Sequence, residues 1–169
     1  MATIALVGNP NSGKTTIFNA LTGANQHVGN WPGVTVEKKE GKLNFNKKTF
    51  NIVDLPGTYS LGAFSEDEIV ARDYILKDRP DVVINVVDAT NIERNLYLTT
   101  QLLEMGAKVV IALNMFDEAK EKKITFDLDS LSKKLGVPVI PTVASKRKGL
   151  DQLIKNSVAL IEQEVNVTP

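Results

Sequence analysis

Apolar residues recur along this 169-residue chain in two alternating patterns. The runs TIALV (3–7), FNIVDL (50–55), VVINVV (82–87), VVIALN (109–114) and VPVIP (137–141) are short, nearly continuous and rich in β-branched residues, which predicts mostly buried strands. Between them, TTIFNALTG (15–23), EDEIVARDYIL (66–76), NLYLTTQLLEMG (95–106), FDLDSLSKKLG (126–136) and LDQLIKNSVALIEQ (150–163) space apolar residues three and four apart. Several of these close on glycine, as amphipathic helices do. Strands alternating with helices imply right-handed crossovers onto a mostly parallel sheet, with any ligand outside the carboxyl ends of the strands. Residues 36–55 break the alternation, because two strand-like runs flank NFNKK and predict a hairpin. The expectation is an α/β, doubly wound, six-stranded sheet with one antiparallel edge strand. One domain should cover residues 1–165, with 166–169 as a frayed end.

The segment Gly8-Asn9-Pro10-Asn11-Ser12-Gly13-Lys14-Thr15 follows the first strand and opens the first helix, and it fits G-x-x-x-x-G-K-[ST]. Its glycines let backbone N–H groups turn toward a phosphate, and the helix N-terminus adds partial positive charge. Lys14 is placed to reach the outer phosphates, and Thr15, followed by Thr16, offers a hydroxyl to Mg²⁺. The implied ligand is a nucleoside triphosphate with magnesium. An ordinary glycine-rich turn is the plainer alternative, and the full pattern with its correct flanks speaks against it.

Two later strand ends carry candidate base contacts. After VVIALN stands Asn114-Met115-Phe116-Asp117, and after VPVIP stands Thr142-Val143-Ala144-Ser145-Lys146. A carboxylate at Asp117 can accept from both N1–H and the 2-amino group of guanine, a donor pair that adenine lacks. Asn114 is placed to brace the loops, and the backbone N–H of Ser145 to meet the guanine 6-oxygen. The third phosphate should be read by Asp54-Leu55-Pro56-Gly57, with Asp54 holding magnesium through water and Gly57 N–H bonding the γ-phosphate. Thr35 in the preceding loop would add a second hydroxyl to magnesium only when that phosphate is present, giving two loops that order with GTP and relax with GDP.

Charge and composition remove several other classes. Twenty basic residues balance twenty acidic ones, so no electrostatic excess is available to hold nucleic acid. Cysteine is absent, which excludes disulfides and thiolate metal sites and fits a reducing compartment. No apolar run approaches a membrane span, and the first residues lack the basic and small-residue features of a signal peptide.

These motifs in this order resemble the small G-protein fold of the translation-factor-like GTPases, over about residues 2 to 163. Within that class GNPNSGKTT, VGNWPGVTVE and DLPGTYSL are together similar to the amino-terminal GTPase domain of FeoB, the prokaryotic ferrous-iron transporter. The resemblance implies a GTPase at the cytosolic face of the membrane, attached to helical and transmembrane parts of one longer transporter. It also implies that Asn11, Lys14, Thr35 and Gly57 act on the transferring phosphoryl group. An amide oxygen at Asn11 is a hard ligand suited to an alkali ion, although the residue alone fits a turn-stabilising side chain better. FeoB-like GTPases with this asparagine are potassium-activated, which implies K⁺ here, held also by the carbonyls of Gly29 and Trp31. A homo-oligomer is compatible with this reading.

Three departures from common G-protein patterns bear on turnover. Met115 replaces the usual lysine of N-K-x-D, and Ala144-Ser145-Lys146 replaces S-A-K, both pointing to looser nucleotide binding. Thr58 stands where many GTPases place a water-orienting glutamine. A soluble RNA-associated GTPase of ribosome or tRNA maturation is the rival reading, and a regulatory module with little turnover is another. Other chemistry-bearing residues carry plainer expectations. Ser65 and Glu68 make a capping box rather than a metal cluster, His27 has no role, Trp31 is an anchor or a reporter of nucleotide state, and Asp88 braces its loop.

Overall fold

A computed structural model describes the backbone of residues 1–167 and the side chains of residues 1–163. In chain order the elements are β1 (Thr3–Gly8), α1 (Lys14–Thr22), β2 (Gln26–Asn30), β3 (Glu37–Phe45), β4 (Lys48–Asp54) and α2 (Glu66–Asp73), which runs into a π-helical turn, Tyr74–Asp78. They continue with β5 (Val82–Asp88), α3 (Ile92–Glu104), β6 (Val109–Asn114), α4 (Phe116–Glu121), α5 (Leu128–Leu135), β7 (Val139–Pro141) and α6 (Leu150–Val167). The expected frayed end falls on the last two positions of α6 and on residues 168–169, which lie outside the described residues.

One sheet in the order β2-β3-β4-β1-β5-β6-β7 carries helices on both faces. From β4 to β7 every neighbouring pair is parallel. Alternate residues of each central strand feed opposite cores, which is why their sequences read as unbroken apolar runs. Ala5, Val7, Val83 and Val87 pack with Leu98 and Leu102 of α3. Ile4, Leu6, Ile84 and Val86 pack with Phe18 of α1 and Leu153 of α6. The predicted hairpin closes between β3 and β4 through Asn46 and Lys47, at φ 50° and 64°, two consecutive left-handed residues that match the twist of the strands they join.

The doubly wound α/β class holds, with a corrected strand count and edge. The sheet has seven strands rather than six, because residues 26–30, read from sequence as loop, form β2 antiparallel to β3, from Gln26↔Gly41 to Asn30↔Glu37. The edge strand is therefore β2 and not β3. All five of its residues are exposed, so it rests on backbone pairing and leaves no trace in hydropathy. Helix α4 also escapes the periodicity, since only Ala119 of its six residues is buried.

Because β2 buries no side chain, its amides should exchange with solvent by local opening, well before those of β1 and β5. Hydrogen exchange resolved by residue checks this. Protection of Val28 and Gly29 equal to that of Ile84 would contradict a strand held by backbone pairing alone.

Candidate nucleotide-binding site

The carboxyl ends of β1, β4, β5, β6 and β7 bring the predicted motifs to one edge of the sheet. Between β1 and α1 the phosphate loop turns through Asn11 at φ 66° and Gly13 at φ 94°. Gly13 is required twice over, since a β-carbon there would also lie 2.1 Å from Asn114 Nδ2. Ser12 is buried, while Pro10, Asn11, Thr15 and Thr16 are exposed along the edge. Asn9 contributes backbone to the loop, and its side chain is turned into the interior, only 4% exposed.

Lys14 is buried at the start of α1, and its ammonium group donates to the Asp54 carboxylate at the end of β4. Burial pushes the Asp54 carboxyl above its ordinary value, and the Lys14 charge opposes that shift. A carboxylate held ionised against desolvation depends on a neighbouring cation. Beyond Asp54, the second predicted loop lies on the phosphate loop: Thr58 N–H donates to the Gly8 carbonyl at 3.0 Å, and a β-carbon added to Gly57 would stand 3.4 Å from Pro10 Cα. Thr58 is buried and its hydroxyl donates to the Ser60 carbonyl at 2.6 Å.

Asn114 joins three loops from the end of β6. Its Nδ2 donates to the Ser12 carbonyl at 3.0 Å, while its Oδ1 accepts from Thr142 Oγ1 and from Ala144 N–H, each at 3.0 Å. Met115 follows in the left-handed region at φ 58°, which swings the chain into α4 and sets Asp117 in its first turn. The Asp117 carboxylate accepts from Lys146 Nζ at 3.2 Å and from Glu118 N–H at 2.9 Å. The Lys146 contact holds this carboxyl below its ordinary value. Ser145 is exposed on the short 3₁₀ turn Ala144–Lys146.

The structure does not bring the first loop to this cluster. Thr35 is exposed on the turn between β2 and β3, which is closed by Trp31 N–H to the Val36 carbonyl at 2.9 Å. Gly29 lies in β2, and two intervening strands put it three spacings, about 14 Å, across the sheet from β1. Trp31 is a structural anchor, 7% exposed, edge-on to Tyr74 at 5.4 Å with Lys38 Nζ 4.7 Å above its ring. His27 is exposed on β2 opposite Glu40. Asp88 braces its loop, accepting from Thr90 N–H at 2.8 Å and Thr90 Oγ1 at 2.6 Å.

Sequence reasoning missed three contributors. Thr142 opened a named segment without being given a role, and its hydroxyl helps to hold Asn114 Oδ1. Half of the capping box forms, with Ser65 Oγ accepting from Glu68 N–H at 3.2 Å, but the Glu68 carboxylate turns back to the second loop instead. There it accepts from Ser60 Oγ, Gly62 N–H and Phe64 N–H at 3.1–3.3 Å. Arg147, at φ 55°, reaches the Ala20 carbonyl of α1 at 3.5 Å. A left-handed turn has no sequence signature at an arginine, and Ala20 lies far from it in the chain.

The ferrous iron transport protein B family profile matches residues 2–157. The chain belongs to that family. Among curated relatives it is 54% identical over 160 residues to the Fe(2+) transport protein A/Fe(2+) transporter FeoB fusion protein of Porphyromonas gingivalis, covering 94% of this chain and 19% of that protein. It is 55% identical over 155 residues to the Fe(2+) transporter FeoB of Escherichia coli K12, covering 89% of this chain and 20% of that protein. The chain therefore spans about one fifth of the length of these relatives. The fold matches the FeoB G-domain of Methanococcus jannaschii with a TM-score of 0.86 at 53% identity, covering 96% of this chain and 99% of that one. An N11A mutant of S. thermophilus NFeoB, solved bound to mGDP, matches with a TM-score of 0.89 at 57% identity, over 93% of this chain and 60% of that one. Among the described residues no helix is long and apolar enough to cross a membrane.

Asn114→Ala leaves the buried Thr142 hydroxyl and the buried backbone groups of Ser12 and Ala144 without their partner, and should cost about 2–4 kcal/mol of stability. Chemical denaturation measures this. A loss below about 1 kcal/mol would mean that the three loops hold together without it.

Proposed function

We propose that this chain is a GTP-binding and GTP-hydrolysing switch domain that regulates or drives ferrous iron uptake by a membrane transporter to which it is attached. The observation that carries the nucleotide reading is the Asn114 bridge. It ties the phosphate loop at Ser12 to the Ala144–Lys146 turn while its own chain delivers Asp117, so a phosphate cradle and a base-reading carboxylate are fixed relative to each other. FeoB relatives solved with GDP or mGDP support a guanine nucleotide at this edge. The iron-uptake assignment rests on the Fe(2+) transporters to which the chain is similar, and a relative solved as the cytosolic domain of FeoB supports a position on the cytosolic face of such a transporter.

The donors gathered at this edge fit magnesium: the Thr15 hydroxyl and the Asp54 carboxylate are hard oxygens, and Asp54 already needs a cation beside it, while the Thr35 hydroxyl would join only if the first loop moved in with the third phosphate. Magnesium held by these donors would supply positive charge against the phosphates. Lys14 would reach the outer phosphates and Gly57 N–H would donate to the γ-phosphate. Hydrolysis follows by in-line attack of water, driven by positioning and electrostatics. Thr58 is turned inward, which leaves the orientation of the attacking water to backbone groups of the second loop or to another group.

Guanine selection by Asp117 has a specific test. Asp117→Ala should weaken GTP binding by about one to two orders of magnitude, and Asp117→Asn should shift preference toward xanthine nucleotides. Competition binding measures both, and equal wild-type affinity for ATP and GTP would refute the assignment.

Potassium stimulation through Asn11 belongs to the same reading, with an alternative visible in the backbone. At φ 66°, Asn11 occupies a conformation that asparagine tolerates well, so it can serve the turn alone. Asn11→Gly separates the two roles, because glycine keeps the turn and removes the amide oxygen. K⁺ should stimulate wild-type phosphate release over Na⁺ at equal ionic strength, and Asn11→Gly should lose that stimulation while still binding GTP. A glycine variant that still responds to K⁺ assigns Asn11 to the turn.

A further inference from the structure

Among the described residues, the buried polar side-chain atoms without a hydrogen-bond partner are both ends of the Asn9 amide, the Ser12 hydroxyl and the Trp31 indole N–H. Two of these three residues lie in the phosphate loop. A buried amide with neither donor nor acceptor used is costly, so its presence calls for a physical reason. The Ser12 hydroxyl sits in a tight recess, where a β-carbon on Gly8 would lie 2.9 Å from it and 2.7 Å from the Val86 carbonyl.

Asn9 is placed differently, because the second loop brackets it. On one side Thr58 N–H holds the Gly8 carbonyl at 3.0 Å, and on the other Gly57 packs on Pro10. The Asn9 carbonyl is already used by Ser12 N–H at 3.2 Å, whereas its side-chain amide is unused and buried. The backbone seen against its chain neighbours Gly8 and Pro10 is that of Thr58 and Gly57. Within that stretch the Thr58 hydroxyl is committed to Ser60, so Thr58 has no free hydroxyl with which to fix the loop against the phosphate edge.

We infer that the Asn9 amide is a positioning group for the second loop, taking a backbone N–H and a backbone carbonyl of residues 57–60 in the GTP-loaded conformation and so holding Gly57 N–H on the γ-phosphate. This rests on the GTPase reading above. Asn9 touches no substrate atom and acts through Gly57. A primary amide suits the task, since one rigid group offers a donor and an acceptor to the same strand of backbone. With threonine in place of the water-orienting glutamine, the geometry of this backbone sets the position of the attacking water.

The test is the affinity of Asn9→Ala for GDP and for a non-hydrolysable GTP analogue, beside the wild type. GDP affinity should stay within about threefold, while the analogue should bind about tenfold more weakly, the loss expected for a buried hydrogen-bond pair made in one state only. The turnover number should fall with it. Equal losses for both nucleotides, or no loss for either, overturn the inference and leave the GTPase reading standing. A wild type that binds neither nucleotide overturns both. A second measurement needs no variant: the side-chain amide protons of Asn9, followed by NMR, should be protected from solvent exchange with the analogue and not with GDP. Equal protection in the two states, as a fixed internal water would give, overturns the inference even if Asn9→Ala does not fold.

Discussion

A primary amide can donate and accept at once, and at the end of β6 Asn114 uses both ends to satisfy loops that arrive from β1, β6 and β7. Loops at the edge of a parallel sheet otherwise have no common frame, because each is attached only to its own strand. One buried side chain supplies that frame here. Gly13 follows from it, since a β-carbon at that position would collide with the amide. The left-handed Met115 follows too, as the turn that lets the chain leave Asn114 and still present Asp117 on the same edge.

Electrostatics sets the second condition. Lys14 and Asp54 are both nearly buried and belong to different loops, so each loop's charge is the other's compensation. Breaking such a pair without replacing a partner is strongly unfavourable, whereas exchanging partners is not. On the proposed reading, magnesium and a phosphate would bring one new partner for each. The Glu68 carboxylate, gathering Ser60, Gly62 and Phe64 from the start of α2, ties the second loop to that helix.

Much of this was legible because burial writes itself into periodicity. Strands β1, β4, β5 and β6 are apolar on both faces, and α3 and α6 carry regular apolar spacing, so hydropathy alone located them. The phosphate loop and the Asn114 and Asp117 positions were legible for a chemical reason, since few residue types can do what those places require. The unread parts share the opposite property. β2 buries nothing, α4 buries one alanine, and Thr142 and Arg147 act through contacts between residues far apart in sequence. Glu68 was read as a local cap because its local partner, Ser65, was the only one visible in one dimension.

The buried ring of Trp31 also has a mechanical meaning. It fastens the chain between α1 and β3 to the α2 side of the core, edge-on to Tyr74. The flanks can travel only by giving up other contacts, residues 26–30 their pairing with β3 and residues 32–36 the packing of Val34 and Val36. Five residues span at most about 17 Å when fully extended, so either flank, once released, can cross about three strand spacings and no more unless the tryptophan leaves its pocket.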